Sequence, residues 1–476
     1  MPRIRFNGPA YEARSKDANA QKCINWYPEK DTREGKNDRF YLMPTPGLTS
    51  FSAVEGVDSV VRGLFEHQGT LYAVVGSTFY SIDSEGTATS EGTLSSSTGL
   101  VQIAGVDDGI VIVDGTAGYR YVPSTDSFTT ISDSDFPSTV KTITSQDGYF
   151  ITHEPNTQKF RISNLNDGAT WDTLDFASAE GSFDEIVACV SDNRQLWIFG
   201  ETTTEVWINT GASAFPFERI QDVFLDWGLA AERSVVKLDN TLYWLAKSKN
   251  GSGAIVKANG FTAQIVSTPA IMNKINSYDT IDDAFGYSYQ LQGHEFYVLT
   301  FPTEGATWVY DASTGLWHER TSFLDNEYTR HRSNCYAFAY NKHFIGDFAT
   351  GTIYELDPDV YTEDGTAIRR VRVTQHTHKD TKLLTMRNLV VDVESGPGLQ
   401  TGQGSDPQYM LRVSRDGGRT WGNERWRSPG KAGIYDARMI WNLLGIARTF
   451  TMELSITDPV NAIIIGAHAE IETGSN

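Results

Sequence analysis

The side chains from Ser414 to Trp421, in the order Ser-Arg-Asp-Gly-Gly-Arg-Thr-Trp, form the chain's densest grouping of residues able to do chemistry or lock a turn. Ser414, Asp416 and Thr420 can bind the backbone N–H groups of the turn they occupy, Gly418 supplies backbone freedom, and Trp421 can pack beneath. That chemistry is structural: a hairpin tip held by its own hydrogen bonds. His376 and His378 stand two apart on a predicted strand and so face the same way, but a metal site needs further ligands that the spacing does not identify. They read as a surface pair. Cys23, Cys189 and Cys335 are odd in number and widely spaced, which gives no disulfide framework and no metal pattern and fits folding in a reducing compartment. No HExxH, P-loop or nucleophile elbow occurs, and no residue is assigned as catalytic, cofactor-binding or metal-binding.

The same eight residues follow the S-x-D-x-G-x-T-W pattern of the Asp-box, which recurs in sialidases. In that family the motif is structural and lies away from the chemistry, and here it occurs once, outside the repeats described next. A glycoside-cleaving or carbohydrate-binding propeller stays the alternative reading. It would need paired carboxylates, or a Tyr with a Glu and an arginine cluster, converging on one mouth of the ring.

The elements that must position these residues are strands. From Ser59 to Asp357 one pattern recurs: a polar turn, an apolar strand, a second turn, and a strand rich in β-branched and aromatic residues. Copies begin at Gln68, Asp107, Gln146, Asp192, Asp239, Gln292 and Tyr340, so successive starts lie 39, 39, 46, 47, 53 and 48 residues apart. An additional strand precedes most turns and another often follows, giving about four per unit, which is the content of one propeller blade. The last unit lacks an outer strand, and 48–54 is a spare strand ahead of the first unit. Pairing the two would close a ring and cover both open edges. Trp197, Trp207, Trp244, Trp308 and Trp317 fall on or beside these strands as packing residues.

The expected architecture is all-β: a seven-bladed β-propeller over residues 48–362, closed by an N-terminal strand, and a C-terminal β-sandwich over 363–476 that carries the Asp-box hairpin. Residues 1–47 are polar, carry five prolines and show no sustained period, so they read as an arm wrapping the next domain in its later part. In the sandwich, strands are expected at 369–374, 388–393, 408–413, 450–456 and 462–465, with a glycine-rich loop over 394–406. Residues 321–327 read as a loop. A formal charge of -20 argues against tight binding to phosphate backbones. No apolar run approaches the roughly 20 residues of a membrane span, and the N-terminus lacks the apolar core of a secretory signal.

Two stretches carry a family resemblance. Ile24-Asn25-Trp26-Tyr27-Pro28-Glu29 followed by Leu42-Met43-Pro44-Thr45-Pro46-Gly47-Leu48 resembles the opening of the packaged-DNA stabilisation proteins, the tail hub or tail accessory factors of short-tailed phages. The Asp-box-like hairpin, Gly430-Lys431-Ala432-Gly433, Arg438, Trp441, Leu444-Gly445, Ala447-Arg448 and Thr457-Asp458-Pro459-Val460 are similar to that family's closing domain. The resemblance implies a non-enzymatic virion tail protein without cofactors. It implies a homohexameric ring below the portal and its adaptor protein, with a tail needle or plug beneath and spikes or fibres at the side. The ring would seal the channel and pass double-stranded DNA at ejection, with no membrane insertion and with assembly in the host cytoplasm.

Overall fold

The polar dipeptides that open the repeats are tight hairpin turns. In a computed structural model, which describes residues 3–31, 39–54, 59–182, 184–379 and 381–474, both residues of Gln68-Gly69, Asp147-Gly148, Asn193-Arg194, Asp239-Asn240, Gln292-Gly293 and Tyr340-Asn341 have positive φ. Two-residue turns of this hand match the twist of the strands they join. Each turn links the first two strands of a unit, and apolar strands such as Gly109–Val113 and Gln195–Gly200 are buried almost throughout.

Four units are separate four-stranded antiparallel sheets, beginning at Val61–His67, Gln102–Val106, Thr144–Gln146 and Ile186–Asp192. In the next, Gly228–Leu229 and Val236–Leu238 both pair with Thr241–Ser248, and Gly251–Asn259 and Thr262–Ile265 follow. Phe285–Leu291, His294–Phe301, Ala306–Asp311 and Leu316–Leu324 form another, and Ser333–Ala339, Lys342–Asp347 and Thr352–Asp357 the last. The first strands of neighbouring units touch in sequence, except that the fourth and fifth units meet through Gln195–Gly200 and Gly228–Leu229, and Ser333–Ala339 returns to contact Val61–His67. One central cavity is therefore lined from every unit, by Arg62, Gln102, Thr142, Val190, Arg233, Tyr287 and Cys335. This is a β-propeller. It closes as the strand count predicts: Gly47–Ala53 runs antiparallel to Thr352–Asp357, with Leu48 opposite Leu356. The five tryptophans expected on these strands are all buried.

The sandwich comprises two sheets. One holds Leu384–Val393, Met439–Ala447 and Ile464–Thr473; the other holds Arg370–Val373, Tyr409–Ser414, Arg425–Arg427 and Thr449–Ile456. Met386, Leu389, Trp441, Leu411, Met452 and Leu454 meet between them in one core. The expected strands are present, but the last continues to Thr473, and Met439–Ala447 is additional. Its alternation breaks at Leu443, which has φ 57°, so a period-of-two reading does not find it. Residues 321–327 are also not a loop, since Leu316–Leu324 and Glu327–Arg330 pair as a hairpin.

Residues before Gly47 are woven into both bodies. Trp26–Asp31 pairs with Arg39–Pro44, and the latter joins the sandwich at Leu42 opposite Ile464. Ala20–Ile24 lies between Leu316–Leu324 of the propeller, which it meets in parallel at Ile24 and Glu319, and Arg370–Val373 of the sandwich, which it meets antiparallel. A single sheet thus runs from propeller to sandwich through this strand. Trp26 is wholly buried and donates its indole N–H to the Ala462 carbonyl at 2.7 Å. The sequence reads this segment as irregular because its strands are short and one carries Pro28.

Candidate functional site

The Ser414 to Trp421 turn joins Tyr409–Ser414 to Arg425–Arg427. The Asp416 carboxylate accepts the backbone N–H groups of Arg419 at 3.0 Å and Thr420 at 2.9 Å, and the Thr420 hydroxyl at 2.5 Å. Ser414, itself buried, donates to Asp416 Oδ1 at 2.7 Å and accepts the Gly418 N–H at 2.8 Å. Gly417 and Gly418 both have positive φ. The Thr420 hydroxyl and its backbone N–H, with Ser414, hold the Asp416 carboxyl well below the usual carboxylate range. Trp421 lies close to Gly418 but is half-buried, with the Arg412 guanidinium 5.6 Å from its ring centre. The tip also grips the N-terminal segment, because Arg419 makes a two-pronged pair with Asp17 at 2.6 Å per contact.

His376 and His378 are not brought together as ligands. His376 Nε2 meets the Lys16 carbonyl at 2.5 Å and Nδ1 the Thr451 hydroxyl at 2.6 Å, while His378 is exposed. Among the described residues no cluster of three or more His, Cys, Asp or Glu side chains could hold a metal ion. The cysteines are free, and burial pushes the Cys23 thiol up to about 12. At one mouth of the propeller cavity, Glu232 lies 3.7 Å from Lys141 and 4.0 Å from Arg233, and Asp283 accepts the Thr303 N–H. These acids hold the loops around the mouth.

Charge is buried where propeller, sandwich and N-terminal segment meet. Glu363 accepts the Ser322 hydroxyl at 2.9 Å and lies 3.8 Å from His331 Nε2, while Arg332 pairs with Asp347 at 2.5 Å. Burial pushes Glu363 up to about 7 and drives His331 well below its ordinary value. Arg372 donates to the carbonyls of Phe6, Pro9 and Lys22 and to the Gln21 side chain at 2.6 to 3.2 Å. Arg370 is equally buried and stacks over Tyr361. Asn25, with φ 55°, donates to the carbonyls of Thr321 and Arg369 and accepts the Thr321 N–H, so one side chain ties all three parts. Sequence reasoning missed this seam. Its only signal is Arg370 and Arg372 alternating on a short strand, a spacing that also suits a solvent-facing edge. The arrangement ties the bodies together, and although the Ser333 hydroxyl lies 2.9 Å from His331 Nδ1, Ser333, His331 and Glu363 are all buried within the seam.

A family model described as "Bacteriophage P22 Gp10, beta-propeller" matches residues 6–361, and one described as "Bacteriophage P22 Gp10, beta-sandwich" matches residues 369–472. Curated proteins give no match. Among solved structures, the computationally designed Ika8 protein is similar at 11% identity over 65% of this chain and 99% of its own, with a TM-score of 0.40. The Neurospora crassa Pan2 WD40 domain is similar at 9% identity over 67% and 97%, TM-score 0.42, and the N-terminal domain of Nup159 at 10% over 69% and 97%, TM-score 0.38. No helix among the described residues is long and apolar enough to cross a membrane. With a propeller, a sandwich, and both family models matched in order along nearly the whole chain, this protein belongs to the bacteriophage P22 Gp10 family, structural tail-hub proteins of the virion that stabilise packaged DNA.

Proposed function

We propose that six copies of this chain form the ring of a short phage tail, below the portal and its adaptor protein. A needle or plug closes the ring from beneath and spikes or fibres attach at its side. The ring retains packaged DNA and conducts it at ejection, without catalysis. Residues 1–47 act as an arm, 48–362 as a seven-bladed propeller and 363–476 as the sandwich, with Ser414, Asp416, Gly418, Thr420 and Trp421 as a structural latch. Assembly takes place in the host cytoplasm, a reducing setting that suits three free thiols.

The observation that supports this reading is the strand Ala20–Ile24, which makes propeller and sandwich one continuous sheet. A wall that must resist the pressure of packed DNA needs bodies that do not hinge, and relative motion is the default where no such interface exists. An acidic chain also lets a polyanion slide by without adhering. Particles assembled without this protein should fill with DNA and then lose it, and negative-stain images of their tails should lack a ring. Particles that keep their DNA without it would refute the reading.

A further inference from the structure

Two surfaces of this chain expose large apolar side chains amid charge, and the charges are opposite. Residues 409–448 hold eight Arg and Lys against three Asp and Glu, within a chain whose formal charge is -20; Arg412 and Arg419 are paired with Glu453 and Asp17, and the other six cations remain. There Met439–Ala447 is the end strand of its sheet. Arg427 Nε reaches the Ile440 carbonyl at 2.8 Å, Arg425 those of Asn442 and Leu443, and Arg415 that of Leu444 at 3.1 Å. An open strand edge is thus covered by guanidinium groups bonded to neutral carbonyls, so their charge remains. From this edge Leu443 projects 85% exposed in a left-handed backbone conformation, near Ile446 and with Tyr435 75% exposed. An apolar residue both exposed and conformationally strained has no role in folding that explains it.

The second surface is on the propeller. Residues 165–226 hold twelve Asp and Glu against two Arg; of the twelve, Asp184 and Glu205 are buried and Asp192 and Glu201 pair with Lys237 and Lys247, which leaves the others for the surface. On the outer strand Asp167–Ser178, Leu174 is 78% exposed and flanked by Asp172 and Asp175, and Phe224 is exposed on the outer strand of the next unit, Phe217–Leu225. Burial, and after it the neighbouring Asp172, raise the Asp175 carboxyl. Of the nearby cations, Arg120 pairs with Asp167, Arg161 with Glu154 and Arg219 with Glu205, while Lys159 lies over the Phe176 ring at 4.8 Å. The sandwich joins the propeller at its last two units, whereas this face belongs to the third and fourth, far round the circuit.

We propose that the arginine-guarded edge of the sandwich docks onto the acidic outer strands of the third and fourth propeller units of a second copy of this chain. A closed ring of more than two copies needs two different, mutually complementary patches on each chain, pointing away from each other. These two patches are complementary in charge and alike in apolar content, and they sit on different bodies of the chain. The inference rests on the ring proposed above and names the faces that join it.

The test uses the full-length chain. Arg427→Glu with Arg438→Glu reverses the basic face, and Asp172→Lys with Asp175→Lys reverses the acidic one. Sedimentation should show each double variant associating roughly tenfold or more weakly than wild type, because like charges then oppose. An equimolar mixture of the two should recover assembly, since every contact is again between opposite charges. Leu443→Gly, which relieves the strained backbone, should melt no lower than wild type yet associate more weakly. Wild-type association should weaken as salt is raised. Variants that form rings as well as wild type would overturn the docking faces and leave the ring intact, whereas a wild type that stays monomeric, alone and in tails, removes ring and faces together. Basic-face variants that assemble normally but lose affinity for double-stranded DNA would assign that face to nucleic acid and overturn the proposal.

Discussion

Asp416 and Glu363 are both acids, yet the fold moves them in opposite directions. Donors from Thr420 and Ser414 hold the half-buried Asp416 carboxyl well below the usual range, while burial takes Glu363 up to about 7. Asp416 therefore contributes stability that is present above its unfolded value of about 3.9 and fades as pH falls through the folded one. Glu363 behaves in reverse, since its contribution is full below an unfolded value of about 4.3 and is lost as pH rises towards 7. The melting temperature of Glu363→Gln should match wild type near pH 4 and exceed it increasingly up to neutrality; a constant gap would reject this role. Ser414→Ala leaves the Gly418 N–H without its acceptor and should cost about 1 to 2 kcal/mol in urea titrations. Trp421 is half-buried, so Trp421→Ala should cost less than Trp26→Ala, for which about 3 to 5 kcal/mol is expected. Equal losses would show that exposure does not rank the two. The Ser414 turn was legible in the sequence because its bonds span at most four residues. Arg372 was not, because its partners Phe6, Pro9 and Lys22 lie some 350 residues away.

At the scale of elements, the turns carried most of the information. Gln, Asp, Asn and Gly cluster at the repeat openings because at six of the seven two successive residues take positive φ, and at Asp107 one does, a need visible without knowledge of what lies above or below. Gly69 has φ 84° and open space around the position of a Cβ, so Gly69→Ala isolates the backbone cost. It should lower stability by about 1 kcal/mol, and an unchanged melting temperature would contradict the turn assignment. The strands Ala20–Ile24 and Met439–Ala447 were hidden for different reasons. The first has its role set by neighbours on both sides rather than by its own alternation, and the second loses its alternation at Leu443.

For the whole molecule, the circuit of units was legible from the recurrence, and its closure from a missing strand at one end and a spare one at the other. How the sandwich attaches was not, since it depends on a strand from the far end of the chain entering between two sheets. Removing residues 1–54 takes away the closing strand and the bridging strand together, and the truncated protein should not fold. Removing residues 1–46 keeps Gly47–Ala53 and separates the two effects, with the propeller then expected to survive in better order than the sandwich. A soluble 1–54 deletion that unfolds cooperatively would defeat the closure argument.

The bridging strand also sets a schedule for biosynthesis. Ile24 pairs with Glu319 and Val371, Leu48 with Leu356, and Leu42 with Ile464, so the residues that leave the ribosome first must wait for the last ones before they can settle. During translation the nascent chain is an open arc with adhesive ends until Thr352–Asp357 emerges, and the segment around Leu42 settles only once the last sandwich strand has been made. Premature termination should therefore yield aggregates rather than shorter working subunits.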